Sequence, residues 1–307
     1  MQIIKDETTK LNNTVVTLGK FDGNHIGHRA LFDEAKRIKT SSDEPLCTVI
    51  FTFDTNPKSV VSGKDTETLY TNAERMSIES GHGMDCCIIW PFTKQNMATE
   101  PGEFVKNVLV RRLGVKHIVV GEDFRFGKER KGDVSLLLEL GKEYGFEVHA
   151  LEKITFKGEA VSSTRIKGEI AKGNLEDANF MLGAPFMVTG KVVPGKHLGK
   201  SLGFPTINFD VPKGKSLPPD GVYATMTSAG GEKYMSMSNI GTRPTFEDGK
   251  NRNIETNIFD FDGDLYGETV NVEFYKFIRP ERYFENAGDL VREIQKNKEQ
   301  IITYFKG

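Results

Sequence analysis

The sequence predicts a parallel α/β sheet in its N-terminal half and an antiparallel β-barrel with a closing helix in its C-terminal half. In the first half, short β-branched runs alternate with helix-like segments. After Pro185, strand-like runs are separated only by glycine, proline and Asp-Gly turns. A chain of 307 residues is long enough for two hydrophobic cores. We therefore expect two domains, residues 1–184 and residues 185–307.

The N-terminal half has the pattern of buried strands joined by helices. Strand-like runs lie at residues 15–18, 46–53, 86–90, 118–121 and 146–151, and helix-like segments at residues 30–38, 73–80, 101–113 and 134–144. Runs that are apolar throughout are typical of parallel strands covered on both faces. Two short helices are expected to close this half, the first after Ser162-Ser163-Thr164 and the second capped by Asn174.

The C-terminal half has the spacing of an antiparallel barrel. Its strand-like runs lie at residues 188–193, 222–228, 233–239, 254–261 and 269–277. Many short strands with turn residues between them favour a barrel over a parallel sheet. Residues 287–304 then predict an amphipathic helix, with an apolar stripe at Leu290, Ile294, Ile301 and Phe305.

Composition excludes several classes of protein. The net charge of -2 and the pI of about 6.4 provide no general attraction to nucleic acid or to an anionic membrane. No apolar run approaches the length of a membrane span, and residues 1–7 are too polar for a signal peptide. Three cysteines cannot form a disulfide framework. We therefore expect a protein of the reducing cytoplasm.

Residues 19–28, Gly-Lys-Phe-Asp-Gly-Asn-His-Ile-Gly-His, carry the strongest chemical signal. They join a predicted strand to a predicted helix, and a helix N-terminus of this kind can bind an anion. His25 and His28 are three residues apart, so on a helix they share one face and can neutralise a departing phosphate. An isolated pair of this spacing would be two surface histidines on a turn. The preceding strand and three glycines at a spacing of four favour a nucleotide site instead.

A loop in the second half resembles a Walker A motif but is rejected as one. Residues 199–201 read Gly-Lys-Ser, yet Gly195 leaves three intervening residues where that motif needs four. The region also lies between strands, without the helix that follows a P-loop. A glycine-lysine loop can still surround phosphates with its backbone N–H groups.

Two metal motifs are rejected as well. Residues 260–264 resemble a calcium loop, but Gly263 is misplaced and Asn271 stands where a bidentate glutamate belongs. A hairpin turn explains this segment better. His25 and His28 with Asp22 could bind zinc, but further ligands at recognised spacings are lacking.

Six further segments follow one another in a distinctive order. They are residues 119–127, Val-Val-Gly-Glu-Asp-Phe-Arg-Phe-Gly; 161–166, Val-Ser-Ser-Thr-Arg-Ile; 202–208, Leu-Gly-Phe-Pro-Thr-Ile-Asn; 218–224, Pro-Pro-Asp-Gly-Val-Tyr-Ala; 238–246, Ser-Asn-Ile-Gly-Thr-Arg-Pro-Thr-Phe; and 254–261, Ile-Glu-Thr-Asn-Ile-Phe-Asp-Phe. With these segments the chain closely resembles, essentially end to end, the bacterial bifunctional riboflavin kinase/FMN adenylyltransferase (FAD synthetase) family.

The resemblance implies two activities. The N-terminal half would be a Rossmann-like nucleotidyltransferase domain that converts FMN and ATP into FAD and pyrophosphate. The C-terminal half would be a riboflavin kinase barrel that converts riboflavin and ATP into FMN and ADP. Both reactions would need Mg²⁺. The expected partners are riboflavin, FMN, FAD and ATP, and a monomer and a weak homo-oligomer both stay open.

For adenylyl transfer, the resemblance implies three sets of residues. His25 and His28 would be catalytic. ATP would be bound by Gly19, Phe21, Asp22, Gly23, Gly27, Ser162, Ser163, Thr164 and Lys167, and the flavin by Phe53, Asn56, Pro57, Asp123, Phe124 and Arg125. For Phe53, an ordinary place in the core is an equally good interpretation.

For the kinase, the resemblance assigns the base or orienting group to Glu255, beside the flavin. A carboxylate suits this role because the ribityl hydroxyl must lose its proton. Thr206 and Asn208 would coordinate magnesium and bind ATP. Gly195, Gly199 and Lys200 would surround the nucleotide phosphates. Taken alone, Glu255 would be a solvated carboxylate on a strand; the Thr206 and Asn208 motif favours the catalytic role.

The sequence departs from the family pattern at three places. Lys167 stands where an arginine is usual, and lysine lacks the bidentate fork that binds phosphate oxygens. Residues 54–56, Asp-Thr-Asn, replace a more usual histidine and proline, and Asn24 replaces a valine. One alternative is therefore a riboflavin kinase whose N-terminal domain is catalytically weakened and only binds nucleotide or flavin.

A second alternative belongs to another class of protein. The C-terminal barrel could be a nucleic-acid-binding module attached to a different adenylyltransferase. Such a module needs a basic strand face with aromatic side chains. The nearly neutral strands of residues 222–239 do not supply one.

Overall fold

The computed structural model of the chain describes residues 1–54, 67–195, 199, 202–242 and 252–307. The chain divides into two compact units. The first contains Met1–Glu67 and Asn72–Ser162, and the second contains Thr68–Thr71 and Ser163–Gly307. Among the described residues, no helix has both the length and the apolar character needed to cross a membrane.

The first unit is built on a parallel sheet of six strands, in the order β1-β4-β3-β2-β5-β6. The strands are β1 (Gln2–Ile4), β2 (Thr14–Leu18), β3 (Cys47–Phe53), β4 (Cys86–Trp90), β5 (Val115–Gly121) and β6 (Glu147–Leu151). The helices are α1 (Ile26–Ser41), α2 (Asn72–Ser80), α3 (Lys94–Met97), α4 (Pro101–Phe104) and α5 (Val134–Tyr144), with a π-helical turn at Val105–Val110 and a 3-10 turn at Lys128–Arg130. A hairpin of β7 (Thr155–Phe156) and β8 (Glu159–Ala160) completes the unit.

Two apolar layers cover the two faces of this sheet. Alternate residues of a strand point to opposite faces. Val16 of β2 accordingly packs in one cluster with Leu109 and Leu137, whereas Val15 packs in the other with Phe32 of α1. This arrangement confirms the prediction of a sheet covered on both faces. The prediction that β6 is fully buried was wrong, because β6 is an edge strand and Glu147 and Ala150 are exposed.

The second unit is a closed barrel of six antiparallel strands, in the order β10-β13-β12-β11-β14-β9. The strands are β9 (Phe186–Val193), β10 (Ile207–Asp210), β11 (Gly221–Ala229), β12 (Glu232–Thr242), β13 (Arg252–Ile258) and β14 (Thr269–Pro280). The helices are α6 (Ser163–Ala171), α7 (Leu175–Leu182) and α8 (Ala287–Lys306). The predicted barrel and closing helix are therefore confirmed.

Asn179 of helix α7 forms hydrogen bonds with two strands of the barrel. The side chain of Asn179 donates to the carbonyl oxygen of Phe274 at 2.8 Å and accepts from the backbone N–H of Phe186 at 2.7 Å. Asn174 occupies the N-cap position of α7, as predicted, but its side chain does not cap the helix. It donates instead to Glu169 at 2.7 Å, because that carboxylate stands within reach at the end of α6.

The segment Thr68–Thr71 packs within the second unit around a buried lysine. The Nζ of Lys215 donates to the carbonyl oxygens of Leu69 at 2.8 Å and of Met187 at 2.7 Å. The same ammonium lies 4.5 Å from the ring centre of Tyr70 and 4.7 Å from that of Phe186. A buried cation needs such partners to offset its lost hydration.

Candidate active sites

The turn between β2 and α1 has an unusual backbone. Phe21 and Asn24 have φ angles of 49° and 44°, in the left-handed region that few residues other than glycine adopt. Gly23 lies between them with a φ of 93°. A Cβ on Gly19 would come within 2.8 Å of the Phe21 ring, so glycine is needed there for close packing. The surrounding structure therefore holds this turn in a strained form.

The two histidines of this turn stack on each other. Their ring centres are 3.6 Å apart with 18° between the planes, and Phe21 meets His28 edge-on at 5.2 Å. Burial lowers the pKa of His25 to about 4, although Asp22 opposes this shift. Burial, then the neighbouring His25 and Lys20, holds the pKa of His28 well below its ordinary value. Both imidazoles are therefore neutral at pH 7 and can act as N–H donors.

Backbone donors lie at the same place. His25 is the N-cap residue of α1, and its carbonyl oxygen accepts from the N–H groups of His28 and Arg29. The N–H groups of Ile26 and Gly27 belong to the first turn, where a helix provides no internal acceptor. A Cβ on Gly27 would lie 3.2 Å from the His25 ring. The start of α1 thus combines the positive end of a helix with two neutral imidazoles.

An arginine not predicted from the sequence holds this turn against the end of β3. Arg75 of α2 donates through Nη1 to the carbonyl oxygen of Lys20 at 2.8 Å and through Nη2 to that of Phe53 at 2.8 Å. Its Nε lies 3.8 Å from Glu79, and both side chains are buried. Burial raises the pKa of Glu79 to about 7. The sequence did contain one signal, an arginine four residues before a glutamate on a predicted helix. Such pairs are also common on exposed helices, so the signal is weak.

Some of the residues predicted to bind the flavin of the adenylyl step lie in the described part of the chain. They are at the carboxyl ends of β3 and β5. Phe53 and Phe124 are half-buried and pack against the same apolar cluster. Asp123 forms an ion pair with Lys153 at 2.7 Å, and Arg125 forms one with Asp133 at 2.8 Å. Residues 56 and 57, Asn and Pro, lie outside the described residues. The structure thus brings two of the predicted aromatic side chains to one apolar layer.

The predicted phosphate-binding residues around Ser162 fall in both units. Ser162 is exposed at the end of the first unit, and α6 begins at Ser163 in the second. On α6, Ser163 and Lys167 are four residues apart and therefore share one face of the helix. Thr164 is exposed beside them.

In the second unit, three polar residues stand side by side on neighbouring strands. Asn208 of β10 pairs with Glu255 of β13, and Glu255 pairs in turn with Asn239 of β12. Residues in register on adjacent strands project to the same face of the sheet. Glu255 and Asn239 line a cleft of about 650 Å³, together with Thr206, which precedes β10. The structure thus brings the predicted carboxylate and both predicted metal ligands into one region.

Two predicted glycines contact these ligands closely. A Cβ on Gly195 would collide with the side-chain amide of Asn208. A Cβ on Gly199 would collide with the carbonyl oxygen of Phe204 and lie 3.2 Å from the Thr206 hydroxyl. These glycines let the chain approach Asn208 and Thr206, as a phosphate-binding loop requires. Residue 200, Lys, lies outside the described residues.

The cleft is also lined by cationic and aromatic groups that were not predicted from the sequence. Arg279 lies near the end of β14, and Arg282 and Phe284 follow that strand. Glu293 of α8 forms an ion pair with each arginine, at 3.4 Å from Arg279. Residues 279–284, Arg-Pro-Glu-Arg-Tyr-Phe, were the available signal. Short runs of charged and aromatic residues are common on protein surfaces. This run differs from them only in its position in the fold, beside the cleft.

The predicted apolar stripe of α8 contributes to two different places, the apolar core beside the barrel and the lining of the cleft. Ile301 is buried against Ala224 and Phe259, with Phe305 packed beside it. Leu290 and Ile294 instead line the cleft. The first half of the helix is therefore a wall of the candidate site, and the second half anchors it to the barrel.

Two family models match the chain, one in each half. The model for FAD synthetase matches residues 7–165, and the model for riboflavin kinase matches residues 182–305. Both matches run through the sites described above.

Similar proteins align with almost the whole chain. The bifunctional riboflavin kinase/FMN adenylyltransferase of Listeria monocytogenes is 35% identical, over 99% of this chain and 96% of that protein. The protein of the same name from Bacillus subtilis is 33% identical, over 99% of this chain and 95% of that protein. A solved structure from Streptococcus pneumoniae, described as a macrolide-efflux protein, is 31% identical with a TM-score of 0.86 and covers 97% of each chain. This neighbour shares the fold over nearly the full length.

Proposed function

The chain belongs to the bifunctional riboflavin kinase/FMN adenylyltransferase family, and we propose that it performs both steps from riboflavin to FAD. It phosphorylates riboflavin with ATP to give FMN and ADP, then joins FMN to the adenylyl group of a second ATP and releases pyrophosphate. The proposal rests on two separate groups of candidate catalytic residues in one chain. One is the histidine pair at the start of α1, and the other is Glu255 beside Asn208 in the barrel cleft.

In the kinase step, Glu255 accepts the proton of the ribityl hydroxyl as that oxygen bonds to the terminal phosphorus of ATP. The bond from this phosphorus to the ADP oxygen breaks, and ADP leaves with the electron pair. Glu255 is suited to this role because strand pairing holds it between Asn208 and Asn239. General base catalysis of this kind contributes roughly 10²–10⁴-fold to the rate.

The residues of the cleft also fit a magnesium ion. The Thr206 hydroxyl and the Asn208 amide oxygen are hard oxygen donors, the type that Mg²⁺ prefers, and substrate phosphates and water would complete the set. When bound, the ion neutralises charge on the ATP phosphates. Gly195, Gly199 and Lys200 would surround the same phosphates. The close approach of both glycines to the ligand side chains supports this arrangement.

In the adenylyl step, a phosphate oxygen of FMN attacks the α-phosphorus of ATP, and pyrophosphate leaves. The nucleophile is already anionic, so alignment and stabilisation of the leaving group suffice. His25 and His28 would donate N–H hydrogen bonds to the leaving group, beside the N-terminus of α1. Gly19, Phe21, Asp22, Gly23 and Gly27 would shape the nucleotide pocket, and Ser162, Ser163, Thr164 and Lys167 would bind phosphates.

The flavin of the adenylyl step would lie at the carboxyl ends of β3 and β5. Phe53, Asn56, Pro57, Asp123, Phe124 and Arg125 would line its pocket. We assign this reaction to residues 1–184 and the kinase to residues 185–307. We also propose a cytoplasmic enzyme, monomeric or weakly self-associating, that has no nucleic-acid or membrane partner.

Chromatography of flavins tests the proposal. The purified protein is incubated with riboflavin, ATP and Mg²⁺, and separately with FMN, ATP and Mg²⁺. We expect FMN and FAD from the first incubation and FAD from the second. FMN alone, with no product from the second incubation, would replace the proposal with a riboflavin kinase whose N-terminal half only binds nucleotide or flavin.

A further inference from the structure

Three potential metal ligands meet on strands β5 and β6, apart from both candidate active sites. His117 lies on β5, and Glu147 and His149 lie on β6. His117 pairs directly with Glu147, and His149 follows two residues later, so all three project from one face of the sheet. Among the described residues, these are the only three histidine, cysteine, aspartate or glutamate side chains whose ligand atoms all lie within 4.8 Å of one another.

The three ligand atoms form a nearly equilateral triangle. The Nδ1 of His117 lies 3.3 Å from the Nε2 of His149. The Oε2 of Glu147 lies 3.6 Å from the first nitrogen and 3.7 Å from the second. Two ligands at zinc distances of 2.0–2.2 Å from a tetrahedral ion are about 3.3–3.6 Å apart. Neighbouring ligands of an octahedral Mg²⁺ are closer together, at about 2.8–3.0 Å. The triangle therefore has the size of one face of a zinc tetrahedron.

A second carboxylate stands behind one of the ligands. The other ring nitrogen of His149, Nδ1, lies 3.9 Å from Oε1 of Glu34 on α1. Arg37 holds Glu34 in place through two hydrogen bonds of 2.7 Å. In zinc sites a carboxylate often accepts a hydrogen bond from the second nitrogen of a histidine ligand. At 3.9 Å Glu34 lies beyond hydrogen-bond distance and acts on His149 through its charge.

We propose that His117, Glu147 and His149 bind a divalent transition-metal ion, with Zn²⁺ the best match, and that water fills the fourth position. Two imidazoles and one carboxylate form a donor set that zinc accepts and that Mg²⁺ does not favour. The ion joins the edge strand β6 to β5, and Glu34 extends the link to α1. Its role is to hold this edge of the sheet, because His117 and Glu147 lie near the amino ends of their strands, opposite to the carboxyl ends that lead to the glycine turn.

Titration with Co²⁺ tests the site. The full chain, untagged and freed of metal with a chelator, is titrated with Co²⁺ while the visible absorption is recorded. We expect an intense band, typical of tetrahedral Co²⁺, that saturates at one equivalent and is abolished by Zn²⁺. His149→Ala should weaken binding by at least about 100-fold, and Glu34→Gln by about tenfold. Glu139→Gln, a change of an exposed glutamate on α5, is the matched control and should bind as the unchanged chain does.

A second measurement does not depend on the variants folding. Zn²⁺ that binds only the folded state must raise the Tm of the unchanged chain, and the rise must grow with Zn²⁺ concentration. We expect no comparable rise with Mg²⁺ in the absence of nucleotide. A weak octahedral Co²⁺ spectrum, the same band in His149→Ala, or an unchanged Tm with Zn²⁺ would each overturn the proposal.

Discussion

The two candidate active sites are constructed in different ways. At the glycine turn, the two candidate histidines are buried, their protonation is suppressed, and the backbone adopts left-handed angles at Phe21 and Asn24. In the barrel cleft, Glu255 stands at a regular strand position, and its neighbours Asn208 and Asn239 follow from strand pairing alone. The first site therefore depends on the packing around it, while the second depends on the register of three strands. Substitutions should affect the two sites separately and by different physical routes.

The largest effect should come from Glu255→Gln. The change keeps the shape of the side chain but removes the proposed proton acceptor, so FMN formation should fall by roughly 10²–10⁴-fold. Conversion of FMN to FAD should be unchanged, since we assign that chemistry to the other site. Both rates are measured on the same preparation. Glu268→Gln, an exposed glutamate that precedes β14, is the control. Equal loss of both activities in a folded protein would contradict the separation of the sites.

The reverse effect is expected from His28→Ala. If His28 donates an N–H hydrogen bond to the leaving pyrophosphate, as proposed, its loss should slow FAD formation from FMN by roughly 10²–10³-fold. Phosphorylation of riboflavin in the same sample should continue at its normal rate, which also shows that the protein is folded. An unchanged yield of FAD would remove His28 from the mechanism.

A smaller effect should appear in the pH dependence of stability. The pKa of His25 in the folded protein, about 4, lies below its ordinary value of 6.5. The unfolded chain therefore gains the proton first as the pH falls below 6.5, and the folded state loses stability down to about pH 4. At pH 5.5 this loss is about 1.4 kcal/mol.

The variant His25→Asn lacks this titration. Relative to the unchanged chain, it should gain about 1.4 kcal/mol between pH 7.5 and pH 5.5. Denaturant unfolding of both proteins at the two pH values measures the difference, and any effect that does not depend on pH cancels. A constant difference between the two proteins would mean that His25 is not held neutral by burial.

The smallest effect is expected from Lys167→Arg. A guanidinium can bind two phosphate oxygens at once, whereas an ammonium acts as a point charge. If Lys167 binds ATP phosphates, the KM for ATP in FAD formation should fall by about fivefold, roughly 1 kcal/mol. The kinase should not change. Lys172→Arg, one residue beyond α6 and paired with Glu169 at 2.9 Å, is the matched control. A similar response in both variants would indicate a general effect of the guanidinium group and not a phosphate contact at residue 167.

The sequence predicted the elements of the fold well because their patterns are local. Helix α5 was predicted with the observed bounds, and five of the six barrel strands and the closing helix were confirmed within a few residues. The exposure of β6 was missed because the sequence of a strand does not say whether it lies at the edge of the sheet. The separate surfaces served by Leu290 and Ile301 were missed for a similar reason, since one apolar stripe can face two environments.

The residues around the candidate sites were harder to predict. Glu255 and Asn208 were found through motifs, and strand pairing brings them together, while their roles stay predictions. Arg75 was missed because its function depends on carbonyl oxygens of Lys20 and Phe53, which are distant in sequence. The His117, Glu147 and His149 triangle was missed for the same reason, since parallel pairing joins residues about 30 positions apart.

The packing of Thr68–Thr71 on Lys215 limits how early this part of the second unit can finish folding during synthesis. The chain passes from one unit to the other after Glu67, after Thr71 and after Ser162. Leu69 leaves the ribosome 146 residues ahead of the lysine that binds its carbonyl oxygen. At ordinary translation speeds, this segment waits roughly 7–30 s for its partner. During that interval Tyr70 is without the ammonium that lies over its ring in the folded protein, so this segment cannot complete its packing until Lys215 has been synthesised.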